Sequence, residues 1–163
     1  MTNLTIKGPL PSLLDIHQPF VFDVTTRLCT VRLEISDTCS PIPYRKLRPD
    51  ALILCYDISH RATLRAVQAR WKYEVETHFN YDERMPIMLL GLKRDLRSEH
   101  EPECVMPQEG VNTAQEMRCD RYAECSAVTG ELCAITFEDV VTMAVSTRRE
   151  DGGRSQGAAC ILM

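Results

Sequence analysis

Pro86-Ile87-Met88-Leu89-Leu90-Gly91-Leu92-Lys93-Arg94-Asp95-Leu96 is the stretch whose reading decides the fold. Its first half is apolar without interruption and shows no alternation of apolar and polar residues. A strand reads this way when both of its faces are buried, as in a parallel sheet covered by helices. Charges then arrive together at Lys93, Arg94 and Asp95, just past the carboxyl end of that strand. In open parallel sheets this end is where ligands bind.

The same pattern recurs on either side. Ala51-Leu52-Ile53-Leu54-Cys55-Tyr56 is a second continuous apolar run. Between the two, Ser59 is read as the N-cap of a helix reaching about Phe79, with Leu64, Val67, Trp71, Val75 and Phe79 on one face. Upstream, Phe20-Val21-Phe22-Asp23-Val24 is a strand candidate. Residues 29–35 set Cys29, Val31, Leu33 and Ile35 against Thr30, Arg32 and Glu34, the period of a half-buried strand. The Pro-rich segment 37–49 is read as loop. Downstream, Pro107 in a first turn leads a helix through Met117, and 121–125 is a short strand. A last helix covers roughly 132–147, with Ile135, Val140, Val141 and Ala144 apolar.

Strands alternating with helices predict an α/β fold, a mostly parallel sheet with helices on both faces. One domain is expected over 1–147, followed by a flexible tail over 148–163 that includes Asp151-Gly152-Gly153-Arg154-Ser155-Gln156-Gly157. The 163 residues suffice for a single packed core. A net charge of −4 argues against a nucleic-acid-binding surface. No amino-terminal stretch reads as a signal peptide, and no apolar run is long enough to span a bilayer. The eight cysteines and four histidines make no Cys-x-x-Cys spacing and no mixed cluster, which argues against a zinc site. Cys29, Cys55, Cys125 and Cys133 are read as packing residues in a reducing compartment.

The chemistry gathers where two strands end. Asp95 follows one strand and Glu124-Cys125-Ser126-Ala127 closes the next, about thirty residues on. A carboxylate there can accept the adjacent N–H and amino group of guanine, a donor pair that adenine lacks. The stem of Lys93 can lie along a base face. Small residues at Ser126 and Ala127 let backbone N–H groups approach the guanine carbonyl. Taken alone, Lys93-Arg94-Asp95 reads foremost as a solvated charged turn. The buried strand before it and the second motif after it favour a guanine site.

With those motifs the chain resembles Rho-type members of the Ras superfamily. Tyr44-Arg45-Lys46-Leu47-Arg48-Pro49 is similar to a segment that follows the Asp-Thr-Ala-Gly motif of that family. Arg70-Trp71, Glu74-Val75, His78-Phe79 and Pro107-Gln108-Glu109-Gly110 also fit it. The resemblance implies the P-loop-NTPase-like small GTPase fold and a signalling switch that binds GTP or GDP with Mg2+. It also implies exchange factors, GTPase-activating proteins and effectors as partners. Lys93, Asp95, Ser126 and Ala127 would bind the nucleotide, and Asp37 would serve the metal.

Departures from the family concentrate at the phosphate end. A phosphate loop needs successive backbone N–H groups and a lysine. Leu4-Thr5-Ile6-Lys7-Gly8 matches a remnant first strand, but Pro9-Leu10-Pro11-Ser12 follows, and proline carries no N–H. The amino-terminal part is thus read as truncated or degenerate. Phe20 stands at the place of the family's metal-binding threonine. Asp37 and Thr38 match, but Ser40 replaces a glycine and Pro41 the glutamine that orients the attacking water. No residue is therefore assigned a catalytic role. Guanosine alone has about twenty heavy atoms, and at roughly 0.3 kcal/mol each would bind at tens of micromolar at best.

Cys160-Ile161-Leu162-Met163 resembles a prenylation box, with a terminal Met that suggests farnesyl. It implies peripheral attachment to the cytosolic face of a membrane, reversible with one lipid. Three readings follow. One is a Rho-type homologue with GTP binding and hydrolysis by resemblance, impaired in this chain. Another is a nucleotide-independent prenylated adaptor, a pseudo-GTPase. The third is an incomplete product of an active GTPase gene.

Overall fold

The two continuous apolar runs lie side by side at the centre of a six-stranded sheet. The computed structural model describes residues 19–25, 30–37, 49–78, 85–150 and 158–162, the last five and 148–150 by backbone alone. Strands β1 (Phe20–Thr25), β2 (Thr30–Asp37), β3 (Ala51–Asp57), β4 (Ile87–Leu92), β5 (Arg121–Glu124) and β6 (Ala158–Leu162) take the order β1-β2-β6-β3-β4-β5. β1 and β2 pair antiparallel. Every other neighbouring pair is parallel. The expectations for 4–12, 38–48 and 151–157, and for Cys29 and Phe79, lie outside the described residues.

Burial on both faces explains the uninterrupted apolar runs. Leu52, Leu54 and Tyr56 of β3, with Ile87 and Leu89 of β4, enter one core. There they meet Leu64, Val67 and Val75 of the first helical segment and Ala114 of α3 (Pro107–Glu116). Ala51, Ile53, Met88 and Leu90, the alternate residues of the same strands, enter a second core with Leu33, Ile35, Val140, Val141 and Ala144. The last three belong to α4 (Cys133–Glu150). Helices therefore cover both faces, as the run pattern requires.

Three local differences from the sequence reading have physical reasons. The helix after β3 is α1 (Arg61–Ala66), a π-helical stretch (Val67–Trp71) and α2 (Lys72–His78), not one regular helix. Its N-cap is His60 rather than Ser59, because the Ser59 hydroxyl donates to Asp57 Oδ1 at 2.6 Å. Ile135 is exposed on α4, where Met143 is buried instead.

The carboxyl-terminal segment differs most. Where 148–163 reads as a tail, α4 continues to Glu150 and Ala158-Ala159-Cys160-Ile161-Leu162 forms β6 between β2 and β3. That pentapeptide is itself an unbroken apolar run, the same signal that marks β3 and β4. Among the described residues no helix is long and apolar enough to cross a membrane.

Candidate functional site

The carboxyl ends of β4 and β5 are locked together by backbone hydrogen bonds. Cys125 N–H donates to Gly91 O at 2.9 Å, and Arg94 N–H donates to Cys125 O at 3.1 Å. This brings the two motifs into contact. Ser126 Oγ donates to Asp95 Oδ1 at 2.5 Å and accepts from Thr129 N–H at 3.1 Å. Ser126 is fully buried, whereas Asp95 and Ala127 are exposed. The Asp95 carboxylate is thus held from behind by a buried hydroxyl, with its exposed side available to donors from solvent. The Ser126 N–H is taken by Glu131 O at 3.0 Å, so it cannot also serve a base carbonyl as expected.

Lys93 has left-handed backbone angles, φ 59 and ψ 44. A non-glycine residue held there costs roughly 1–2 kcal/mol, a strain found often at functional turns. The turn reverses the chain into a 3-10 segment (Arg94–Leu96) that presents Asp95. Lys93 Nζ donates to Asp57 Oδ2 at 2.6 Å, from 58% exposed to 19% exposed side chain. The N–H and hydroxyl of Ser59 both donate to the other oxygen, Asp57 Oδ1. Burial pushes the Asp57 carboxyl up, but the hydrogen bonds from Lys93 and Ser59 outweigh it and leave it below the usual carboxylate range. Asp57 is the site residue that sequence reasoning missed. Its signal was an acidic residue ending the apolar run 51–56.

Behind the site lies a charged network. Arg97 donates through both terminal nitrogens to the two oxygens of Glu124, at 2.7 and 2.5 Å. Tyr122 Oη also donates to Glu124, and its hydroxyl sits 2.9 Å from that of Tyr56. Burial pushes the Glu124 carboxyl up; hydrogen bonds from Arg97 and Tyr122 more than offset this, and its pKa is lowered. Arg94 bonds Glu131 across the Ser126 loop. The largely buried Arg97–Glu124 pair thereby ties the loop after β4 to the end of β5, while Arg94–Glu131 lies nearer the surface.

Asp37 ends β2, on the same edge of the sheet. A cavity of about 290 Å3 joins it to the guanine-side motifs, lined by Asp37, Cys55, Leu92, Ala127 and Phe137 among others. Its walls are mostly apolar, and the Cys55 and Cys125 thiols are pushed up to about 12 by burial. Both are protonated at neutral pH, in keeping with packing roles. Among the described residues no three His, Cys, Asp or Glu side chains converge to hold a metal ion. Among the described residues Asp37 belongs to no such group. At the ends of β4 and β5, the exposed Asp95 carboxylate is an acceptor backed by Ser126. Cys160 lies mid-strand in β6, its Cα opposite Ile35 on one side and Ala51 on the other.

The family model described as the Ras family matches residues 18–146.

Proposed function

Since the chain belongs to the Ras family of small GTPases, we propose that it is a Rho-type homologue that retains the guanine-reading end of the site and has lost tight phosphate-dependent binding. Ras-family proteins bind GTP or GDP with Mg2+ and meet exchange factors, GTPase-activating proteins and effectors. The observation that carries the guanine assignment is the Ser126–Asp95 hydrogen bond, which joins two motifs distant in sequence. Asp95 accepts the guanine donor pair, the Lys93 stem lies along the base, and Ala127 borders the base carbonyl. The reading of impairment rests on Pro9, Pro11, Phe20, Ser40 and Pro41, which remove donors, a metal ligand and the water-orienting amide. The domain takes in β6 and so reaches Leu162; with β6 out of the sheet, Cys160 accepts a prenyl group that brings the protein to the cytosolic face of a membrane.

Titration with fluorescent GDP and GTP in the presence of Mg2+, with ATP as competitor, tests this. Guanine-selective binding at tens of micromolar or weaker is expected. Nanomolar affinity overturns it.

One observation favours a second reading, a nucleotide-independent adaptor. The Lys93 ammonium of this end is already paired within the protein, with Asp57, and Ser126 already holds one oxygen of Asp95. A lysine that needs no ligand to balance its charge lets the site persist empty. Retention of partner binding by an Asp95→Ala variant, with no nucleotide present, distinguishes this reading.

A further inference from the structure

Among the described residues the sheet has two parts with no backbone pairing between them. The hairpin β1–β2 is one part and β3–β4–β5 the other. β6 alone stands between them. It pairs with five residues of β2, from Leu33 to Asp37, and with three residues of β3, from Ala51 to Ile53. We infer that Ala158–Leu162 is a keystone strand. Inserted, it fixes the hairpin, and Asp37 at its end, to the half of the sheet that carries Lys93, Asp95 and Ser126. Withdrawn, it uncouples the hairpin while β3–β4–β5 stays folded.

Three features support this. An isolated two-stranded hairpin is marginal in water, so the hairpin depends on its neighbour for order. Its remaining attachment is side-chain packing, with Leu33 and Ile35 buried in the core beneath α4. The β3–β4–β5 half has its own support, because β3 and β4 pair over six residues and a separate core packs against α1, α2 and α3. The two halves therefore differ in what they lose when β6 leaves. The register also sets the consequence for the site. Leu162 lies opposite both Asp37 and Ile53, so the last pairs of β6 set where the Asp37 end of β2 sits relative to β3.

The amides of β6 and β2 give the state a readout, because N–H groups held in ladders exchange slowly with solvent. The inference rests on the guanine reading only for what moving Asp37 means. Amide exchange reports on the strand without nucleotide.

The test uses the full chain. Amide exchange is followed by peptide mass spectrometry in native and urea-unfolded protein. Exchange at least about tenfold slower in 158–162 and in β2 of the native chain is expected. Equal rates overturn insertion. In Ala159→Pro, the missing N–H and the ring disfavour a central strand. The variant is expected to lose protection in β6 and β2 while β4 and β5 keep theirs. Unchanged β2 protection overturns the keystone role. Loss of protection in β4 and β5 as well overturns the two-part sheet.

Discussion

Lys93 Nζ lies 2.6 Å from Asp57 Oδ2, so the cation expected along a base face is held by a carboxylate from the neighbouring strand. The pairing follows from register, since Asp57 and Leu92 are partners in the β3–β4 ladder and Lys93 comes next. Asp57→Asn keeps an acceptor for Ser59, removes the charge and turns an amide donor toward Lys93 in place of its acceptor. The ion pair is half exposed, so the cost in stability is under about 1 kcal/mol. Freeing the ammonium for ligand oxygens is expected to strengthen GDP binding by a few-fold. Titration of both proteins checks this, and weaker binding by the variant would assign Asp57 a supporting rather than a competing role.

Ser126 is the buried pivot of the guanine end. Its hydroxyl serves Asp95 and the N–H of Thr129 together. Ser126→Ala leaves the Asp95 carboxylate without its anchor and removes the acceptor for that N–H. A loss of roughly 1–2 kcal/mol in urea denaturation is expected. Selectivity for guanosine over adenosine should fall with it. An unchanged preference, measured by competition, sinks the role of Asp95 in base reading.

The sheet and its helices were legible because burial on two faces leaves a plain trace: apolar runs at 51–56 and 87–90, and the Leu64, Val67, Trp71, Val75 stripe. The Asp95–Ser126 contact was legible for a related reason, since each residue follows a strand of one parallel sheet. What stayed hidden depended on pairings between segments. Asp57 meets Lys93 only through the β3–β4 register. Arg97 reaches Glu124 only because β5 lies beside β4. The segment 158–162 carries the same apolar signal as 51–56, but its sequence also reads as a lipid-acceptor box, and its place in the sheet shows only in its register with β2 and β3. The π-helical stretch leaves the apolar spacing intact and so has no sequence trace.

Gly110 is set by close packing. A Cβ added there would lie 2.1 Å from the Tyr122 hydroxyl and 2.7 Å from that of Tyr56. Gly110→Ala must therefore displace the tyrosine pair above Glu124. Overpacking of this kind costs about 1–3 kcal/mol. Tyr122→Phe removes the nearest obstructing atom, so the double variant should lose less than the sum of the two single losses. Additive losses would show that α3 shifts instead of the tyrosines.

The lowered carboxyl pKa values fix the direction of the acid response. For Glu124, burial opposes ionisation, and the paired nitrogens of Arg97 with the Tyr122 hydroxyl overcome it. For Asp57, burial is likewise outweighed by Lys93 and Ser59. A carboxyl depressed on folding binds protons less well in the native state than in the unfolded chain. The stability it contributes is present above the unfolded values, about 3.9 for Asp and 4.3 for Glu, and is lost as pH falls through the lower native ones. Urea midpoints should therefore drop steeply below about pH 4.3. Arg97→Gln strips Glu124 of its bidentate partner where both side chains are largely buried, at 13% and 8% exposure. It should cost on the order of 3 kcal/mol at neutral pH and flatten the acid limb, because the native Glu124 pKa then rises toward the unfolded one. An acid limb equally steep in wild type and Arg97→Gln would place the linkage on the Tyr122 and Arg94 contacts that Glu124 keeps, or on other carboxylates.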